Sequence, residues 1–322
     1  MKVLASHLNS FITYASVKNV PVDQLPVSIK MTPADFKVPA ATVEMSDFYE
    51  VVSYISTVLQ DEMLGIHVGN FVNLKHLGAV YELSLKATTV EEALHYCRMY
   101  LQKTFPVMQV DTEHEEDVVV IRLSIDSNKT AENRILLENT LTLMAREIVI
   151  ITGSDCPVTT WSPYCGKGYP ASWEKGTDFA VAFPKTILKA AVKRNGQWGL
   201  EVLIPEYLQI MESLDPVESF SNRVKLTMLS MATPALPGLD QIAYTLNLTP
   251  RTLQRRLTEE RTKFRHLRDE LTRKICDYLL RHDRYSIADV AVVLGYAEPA
   301  AFIHAFKKWY GAAPGKLREQ II

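Results

Sequence analysis

The end of the chain carries one apolar pattern twice, and that pattern leaves little choice of fold. In the second copy Ile287, Val290, Ala291 and Leu294 recur at i, i+3, i+4 and i+7, which gives a short helix a single apolar face. Ser286 stands where an N-cap belongs. Gly295 follows, the residue that most easily takes the left-handed backbone needed to end a helix within one turn. A new helix starts at once, in which Ala301, Phe302, Ala305, Phe306 and Trp309 form an apolar stripe that can pack on the first helix. In the first copy Leu239, Ile242, Ala243 and Leu246 make the stripe and Asn247 takes the turn, a conformation that Asn tolerates next best. Thr249-Pro250 then supplies an N-cap and a proline at the first helical position for a helix over 249–260, anchored by Leu253 and Leu257. These are two helix-turn-helix units, about 238–260 and 286–310. Each leaves one helix face free for a nucleic-acid groove.

Between them, Phe264, Leu267, Leu271, Ile275, Tyr278 and Leu279 keep helical spacing over about 264–281, with Arg265, Arg268, Arg273, Lys274 and Arg281 around them. One continuous linker helix fixes how far apart the two units sit, so that they can address successive major-groove faces about one helical turn of DNA apart. The outer face of the first recognition helix presents Arg251, Thr252, Gln254 and Arg255, side chains suited to guanine, adenine and phosphate. A solvated helix face is the plainer reading of basic residues such as Lys316 or Arg281. Charge distribution argues otherwise for the region as a whole. Residues 238–320 hold 15 Lys and Arg against 10 Asp and Glu, whereas the remainder holds 20 against 27. A pI near 6.5 conceals a basic end on an acidic body, a sign of a nucleic-acid partner.

IAYTLNLTPRTLQRRL (242–257), RKICDYLL (273–280) and SIADVAVVLGYAEPAAFIHAFKKWYGAAPGKLR (286–318) resemble the DNA-binding domain of the AraC/XylS transcription regulators. The Ala-x-x-Leu-Gly-Tyr, Ala-Phe-x-x-Ala-Phe-Lys-Lys-Trp and Gly-x-x-Pro-x-x-x-Arg elements of the last stretch are highly specific. The chain departs from the family pattern in two places. The second recognition helix presents Pro299, Ala300, Ile303 and His304 where the family has polar residues and an arginine, so direct base readout there is expected to be weak. Discrimination is then expected from Arg251, Gln254 and Arg255. The second unit would give mainly phosphate contacts, through Lys307, Lys308 and the backbone near Glu298. Arg261 stands where the family commonly has glycine, and is expected only to lengthen a helix end.

At 322 residues the chain is too long for one small domain. Residues 1–214 read as a separate α+β body and 215–322 as the DNA-binding domain, with Pro205 and Pro216 flanking the linker between them and coupling expected to pass around 212–219. In the body, periodicity predicts short helices over 11–18 and 22–31, a clearer one over 47–59, and a long one over 131–151. Thr89 and Glu92 form a capping box for a helix over 90–103. Strands are predicted over 107–110 and 118–125, joined by a solvated acidic tip at 113–117, and again over 158–161 and 179–183. The fold class is therefore α+β, a mixed helix/strand domain followed by an all-α domain.

Leu64-Gly65-Ile66-His67-Val68-Gly69, Leu77-Gly78-Ala79 and 87–94 (ATTVEEAL) are similar to the larger, arabinose-binding-like sensing domain of AraC-type regulators. That resemblance implies a body that dimerises and binds a small effector. Tyr164, Tyr169, Trp173, Phe179, Phe183 and Trp198 either line such a pocket or fill the core, and spacing singles out no effector residue. The body has no basic cluster, which disfavours a phosphorylated effector and leaves fatty, aromatic or amino-acid-like metabolites. No catalytic constellation is apparent. His7, His67, His76, His95 and His114 lack metal-ligand spacing, and no metal or cofactor is expected. Cys97, Cys156, Cys165 and Cys276 show no C-x-x-C pairing, and Cys165-Gly166-Lys167-Gly168 reads as a turn. With no signal peptide and no bilayer-length apolar run, a cytoplasmic protein is expected.

Together these readings describe an effector-controlled transcription regulator, an activator by expectation. Its expected partners are a promoter operator in double-stranded DNA, RNA polymerase, an effector of unspecified identity and a second copy of the chain. The alternatives are a body that binds a protein or only dimerises, and an enzyme fused to a DNA reader.

Overall fold

In the computed structural model the described residues are 1–21, 41–72, 84, 86–152, 156–192, 210, 214, 218–233, 235–281 and 285–321. The expected helix over 22–31, the Leu77-Gly78-Ala79 element, His76, Trp198, Pro205, Pro216 and most of the linker lie outside them. The chain divides into two compact units. Met1–Arg194 makes most of the first, and Asn195–Tyr244 with Leu248–Ile322 makes the second.

In the first unit β1 (Lys2–Leu4) pairs antiparallel with β2 (Thr42–Glu44), Val3 opposite Val43. Against this ribbon pack α1 (Ser6–Val17) and α2 (Met45–Leu59), and α3 (Leu64–Phe71) and α4 (Val90–Thr104) follow in the chain. A five-stranded sheet is built from β3 (Met108–His114), β4 (Val118–Ile125), β5 (Thr159–Ser162), β6 (Trp173–Lys175) and β7 (Phe179–Pro184), in the order β3-β4-β7-β5-β6. All its pairings are antiparallel except β5 with β6. The long helix α5 (Thr130–Thr152) is the spine, packing on α3, α4 and the sheet. Gly65 and Gly69 set the α3 contact. A Cβ on Gly65 would lie 2.2 Å from the Ile135 carbonyl oxygen, and one on Gly69 2.7 Å from the Thr142 Cβ, so only glycine lets the two backbones come this close.

Periodicity located α5 and β4 to within a residue, but several elements differ from expectation. Helix α1 begins at Ser6, five residues before the predicted start. Strand β3 runs on to His114, because Glu113 and His114 still pair with Val120 and Val119; only the end of the acidic stretch forms the turn. Thr89 caps α4 by accepting from the Glu92 amide at 3.3 Å. The Glu92 carboxylate reaches the amide and hydroxyl of Thr88, both at 2.8 Å. Strands β1, β2 and β6 and helix α3 were not anticipated, the strands being three residues each and α3 holding two glycines. Of the aromatic group, Trp173 and Phe183 are buried, Tyr169 and Phe179 half-buried, and Tyr164 exposed.

The second unit is helical throughout its described elements: α6 (Phe220–Met231), α7 (Leu239–Thr245), α8 (Pro250–Glu259), α9 (Phe264–Leu280), α10 (Ile287–Val293), α11 (Pro299–Tyr310) and α12 (Pro314–Ile321). The fold class is thus the α+β body with an all-α end that the pattern called for. Among the described residues no helix is long and apolar enough to cross a membrane.

Candidate DNA-reading surface

Each helix-turn-helix rests on a local device that the sequence spells out. In the first, Asn247 holds φ 49° between α7 and α8, and the Leu248 amide donates to the Ala243 carbonyl at 2.8 Å. Thr249 then caps α8, its hydroxyl accepting from the Thr252 amide at 3.1 Å, with Pro250 at the first helical position. In the second, Ser286 and Asp289 form a reciprocal capping box at the start of α10. Gly295 takes the turn at φ 81°. A Cβ there would lie 2.9 Å from the Ala235 Cβ, so glycine is required for space as well as conformation.

On α8 the buried residues are Leu253 and Leu257, which leaves Arg251, Gln254 and Arg255 exposed on one i, i+3, i+4 face. Arg251 and Gln254 have no side-chain partner among the described residues. Arg255 pairs with Glu259 at 2.7 Å, both well exposed; an i,i+4 pair of this kind contributes only about 0.3–0.5 kcal/mol and yields readily to a base or phosphate. Thr252 is half-buried and its hydroxyl lies 2.8 Å from that of Thr249, so part of its hydrogen-bonding capacity serves the cap.

On α11 only Phe302 and Phe306 are buried. Ala301, expected in the apolar stripe, is exposed, because the stripe narrows at the first turn, where Pro299, Ala300 and Ala301 all face solvent. His304, Lys307 and Lys308 are exposed and Ile303 is half-buried. The helix starts at Glu298 without a side-chain cap and ends at Gly311, φ 72°.

The linker helix α9 buries Leu267, Leu271, Ile275, Cys276, Leu279 and Leu280. At about 1.5 Å per residue its 17 residues make a rod of about 25 Å. The rod is tied to α11 by Tyr310, whose hydroxyl donates to Asp277 at 2.6 Å. Burial, then the Asp277 carboxylate, push that phenol's pKa up. It is tied to α6 by Lys225 and Glu270 at 2.7 Å.

Helix α6 and its anchor are not among the elements expected from periodicity. Ser219 caps α6 by accepting from the Asn222 amide at 3.1 Å. Glu260, just beyond α8, accepts from the Phe220 amide at 2.6 Å and from the Ser221 amide at 2.9 Å. Burial works to raise the Glu260 pKa, but the Ser221 and Phe220 hydrogen bonds and the Arg223 charge outweigh it and hold the carboxyl below its usual range. Arg223 and Arg256 lie 5.5 and 5.4 Å from the Phe220 ring, so Arg256 packs on α6 while Arg255 faces out. The signal was present: Val224, Thr227, Met228 and Met231 follow Ser219 at helical spacing.

Arg261 corrects another expectation. It does not lengthen α8; at φ 58° it is left-handed, and the Thr262 amide donates back to the Leu257 carbonyl at 3.0 Å. An arginine here occupies the terminating position that the family gives to glycine.

The chain matches a helix-turn-helix domain family over residues 242–320 and the N-terminal arabinose-binding domain of AraC transcription regulators over 20–161; together these span more than half of it. An HTH-type transcriptional regulator of Mycobacterium tuberculosis is 24% identical, with 94% of this chain and 92% of that one covered. The HTH-type transcriptional regulator VqsM of Pseudomonas aeruginosa is 23% identical, with 79% and 83% covered. Among solved structures, the transcriptional regulator CdpR of Pseudomonas aeruginosa aligns over 98% of both chains with a TM-score of 0.39 and 19% identity. The chain belongs to the AraC/XylS family of DNA-binding transcription regulators, with an N-terminal domain of the arabinose-binding type.

Proposed function

We propose that this regulator is a cytoplasmic activator that binds a promoter operator as a homodimer and works with RNA polymerase, under control of a small molecule held in its N-terminal domain. We take residues 1–214 as the effector-binding and dimerising part and 215–322 as the reader. The observation that carries the effector reading is a mostly apolar cavity inside the N-terminal unit, bordered by a few convergent polar groups, the form that small-molecule sites take. On the DNA, α8 discriminates through Arg251, Gln254 and Arg255, while α11 holds phosphates through Lys307, Lys308 and the backbone near Glu298. An effector switches such a protein only by binding one domain arrangement better than another.

The test is a DNase footprint of the full chain on the DNA flanking its own gene, at two salt concentrations, with and without metabolite extract, followed by transcription with purified polymerase. A discrete footprint that changes with the extract, together with raised transcript yield, is expected. A footprint indifferent to the extract would remove the effector, and lowered transcript yield would make the protein a repressor.

A further inference from the structure

The cavity lies among α1, α2, α4, α5 and the start of β3, inside the N-terminal unit. Phe11, Phe48, Leu101, Phe105 and Met144 make its apolar wall. Its polar end is Glu147, 3% exposed and facing the same space. One carboxylate oxygen, Oε1, accepts from the Ser84 hydroxyl at 2.5 Å. The other, Oε2, is buried and has no hydrogen-bond partner among the described residues. A buried acceptor left unmet is costly, so a ligand that supplies the missing donor is favoured at that point over one that does not.

The rest of the lining limits what that ligand is. Among the described residues no lysine or arginine borders the cavity. The adjacent Arg146 donates to the carbonyls of Gly69, Asn70 and Val72. A ligand carboxylate would therefore set a second negative charge beside ionised Glu147, whose one nearby cation, Arg146, is already engaged by those carbonyls. An ammonium could pair with Glu147, but burying it costs its own hydration, which a buried ion pair does not reliably repay, whereas a neutral donor carries no such cost. His7 also borders the cavity, packed between the Tyr100 and Phe105 rings at 5.6 and 5.3 Å. Its Nε2 lies 2.9 Å from the Thr104 hydroxyl, whose proton goes to the Tyr100 carbonyl. Nε2 must then carry the ring proton, which leaves Nδ1 as a second neutral acceptor.

Resting on the effector reading above, we propose that this cavity binds an uncharged, largely apolar molecule that presents a hydroxyl or N–H donor to Glu147. Fatty and aromatic acids, which the sequence alone admits, are disfavoured as anions wherever Glu147 is ionised.

The test uses the full chain at pH 8 and three probes of one skeleton, 1-hexanol, hexanoate and hexylamine, with binding read by ligand-observed NMR. Hexanol is expected to bind at least tenfold more tightly than either ion. Glu147→Gln should cut the hexanol-to-hexanoate ratio at least fivefold, because the amide no longer repels the anion. Leu101→Phe, which adds bulk to the apolar wall and leaves the Glu147 carboxylate in place, should weaken hexanol at least tenfold with an unchanged circular dichroism spectrum; it keeps the test open if Glu147→Gln does not fold. Hexanoate or hexylamine binding as tightly as hexanol, a ratio unmoved by Glu147→Gln, or hexanol binding unmoved by Leu101→Phe would overturn the proposal. Glu147-dependent hexanol binding with a footprint indifferent to metabolites would keep this site and sink effector control. A footprint that responds to extract equally in wild type and Leu101→Phe would do the reverse.

Discussion

The two units of this chain treat charge in opposite ways. Among the described residues, the N-terminal unit buries Asp61, His67, Glu138 and Glu147, whereas the buried side chains of the DNA-reading unit are apolar or hydroxyl-bearing. A reader of a polyanion needs its charges at the surface, where they cost no desolvation and remain free to meet phosphates. A unit that recognises a small molecule needs polar groups inside, where the low dielectric makes each hydrogen bond selective and each unmet group expensive. The contrast teaches that stability in the first unit hangs on polar pairings, while in the second the polar residues can be changed with effects mainly on DNA.

The largest expected effect tests the buried side of that contrast. Glu138 is 1% exposed, and its Oε1 accepts from Arg134 at 3.3 Å, Ser162 at 2.9 Å and Tyr169 at 2.6 Å. Replacing Arg134 by Met leaves that carboxylate without a cation and should destabilise the chain by about 3–5 kcal/mol in urea denaturation. A loss below 1 kcal/mol would mean that the N-terminal unit does not depend on its buried ions.

Next comes pH. Burial lowers the His7 pKa from 6.5 to about 4. Burial also raises that of Glu147 from 4.5 to about 7, against the pull of Ser84 and Arg146. Between pH 4 and 6.5 the unfolded chain binds more protons at His7 than the folded one, so stability from this group rises with pH. Between pH 4.5 and 7 the folded chain holds the extra proton at Glu147, so stability falls as pH rises. Each shift corresponds to about 3 kcal/mol, and over pH 4.5–6.5 the two slopes offset each other. Glu147→Gln should expose the rising His7 slope, and His7→Gln the falling Glu147 slope, in melting temperatures measured across that range. Two flat profiles would show that neither group is desolvated as the fold implies.

At the surface the expected effects move from stability to recognition. Gln254→Ala and Arg255→Ala should each cost about 1–3 kcal/mol of preference for the operator over random DNA, with melting temperature unchanged. Lys307→Ala and Lys308→Ala should weaken binding to all sequences alike and reduce the salt slope by about 1 each. If His304→Ala abolished operator preference while Gln254→Ala left it intact, the roles of α8 and α11 would be reversed. The smallest effect is Arg261→Gly. Relief of the left-handed strain, net of glycine's greater unfolded freedom, should stabilise by about 0.5–1 kcal/mol in thermal melts, and a loss would mean that the arginine side chain makes a contact worth more than its strain.

What could be read from the residues follows from how far apart the interacting groups lie in the chain. The helix-turn-helix units were legible because each device spans a few positions: Ser286 with Asp289, Thr249 with Thr252, and a left-handed residue after each first helix. The departures are as instructive. Arg261 turned out left-handed because it ends α8, the Thr262 amide closing back on the Leu257 carbonyl. Helix α6 carries its own cap and periodicity, but its anchor is Glu260, 40 residues further on, a contact that no local pattern marks. Strands of three residues carry too little periodicity to stand out at all.

The sequence by itself determined the class of protein, the reading helices, their caps and turns, and the charge contrast between body and reader, because composition and short-range periodicity act before any long-range contact forms. Only the tertiary structure decided which groups meet inside the N-terminal unit. Ser84 and Glu147 are separated by 63 residues, and His7 and Thr104 by 97. Pairings of that span are set by how helices pack on a sheet, and no local pattern records them.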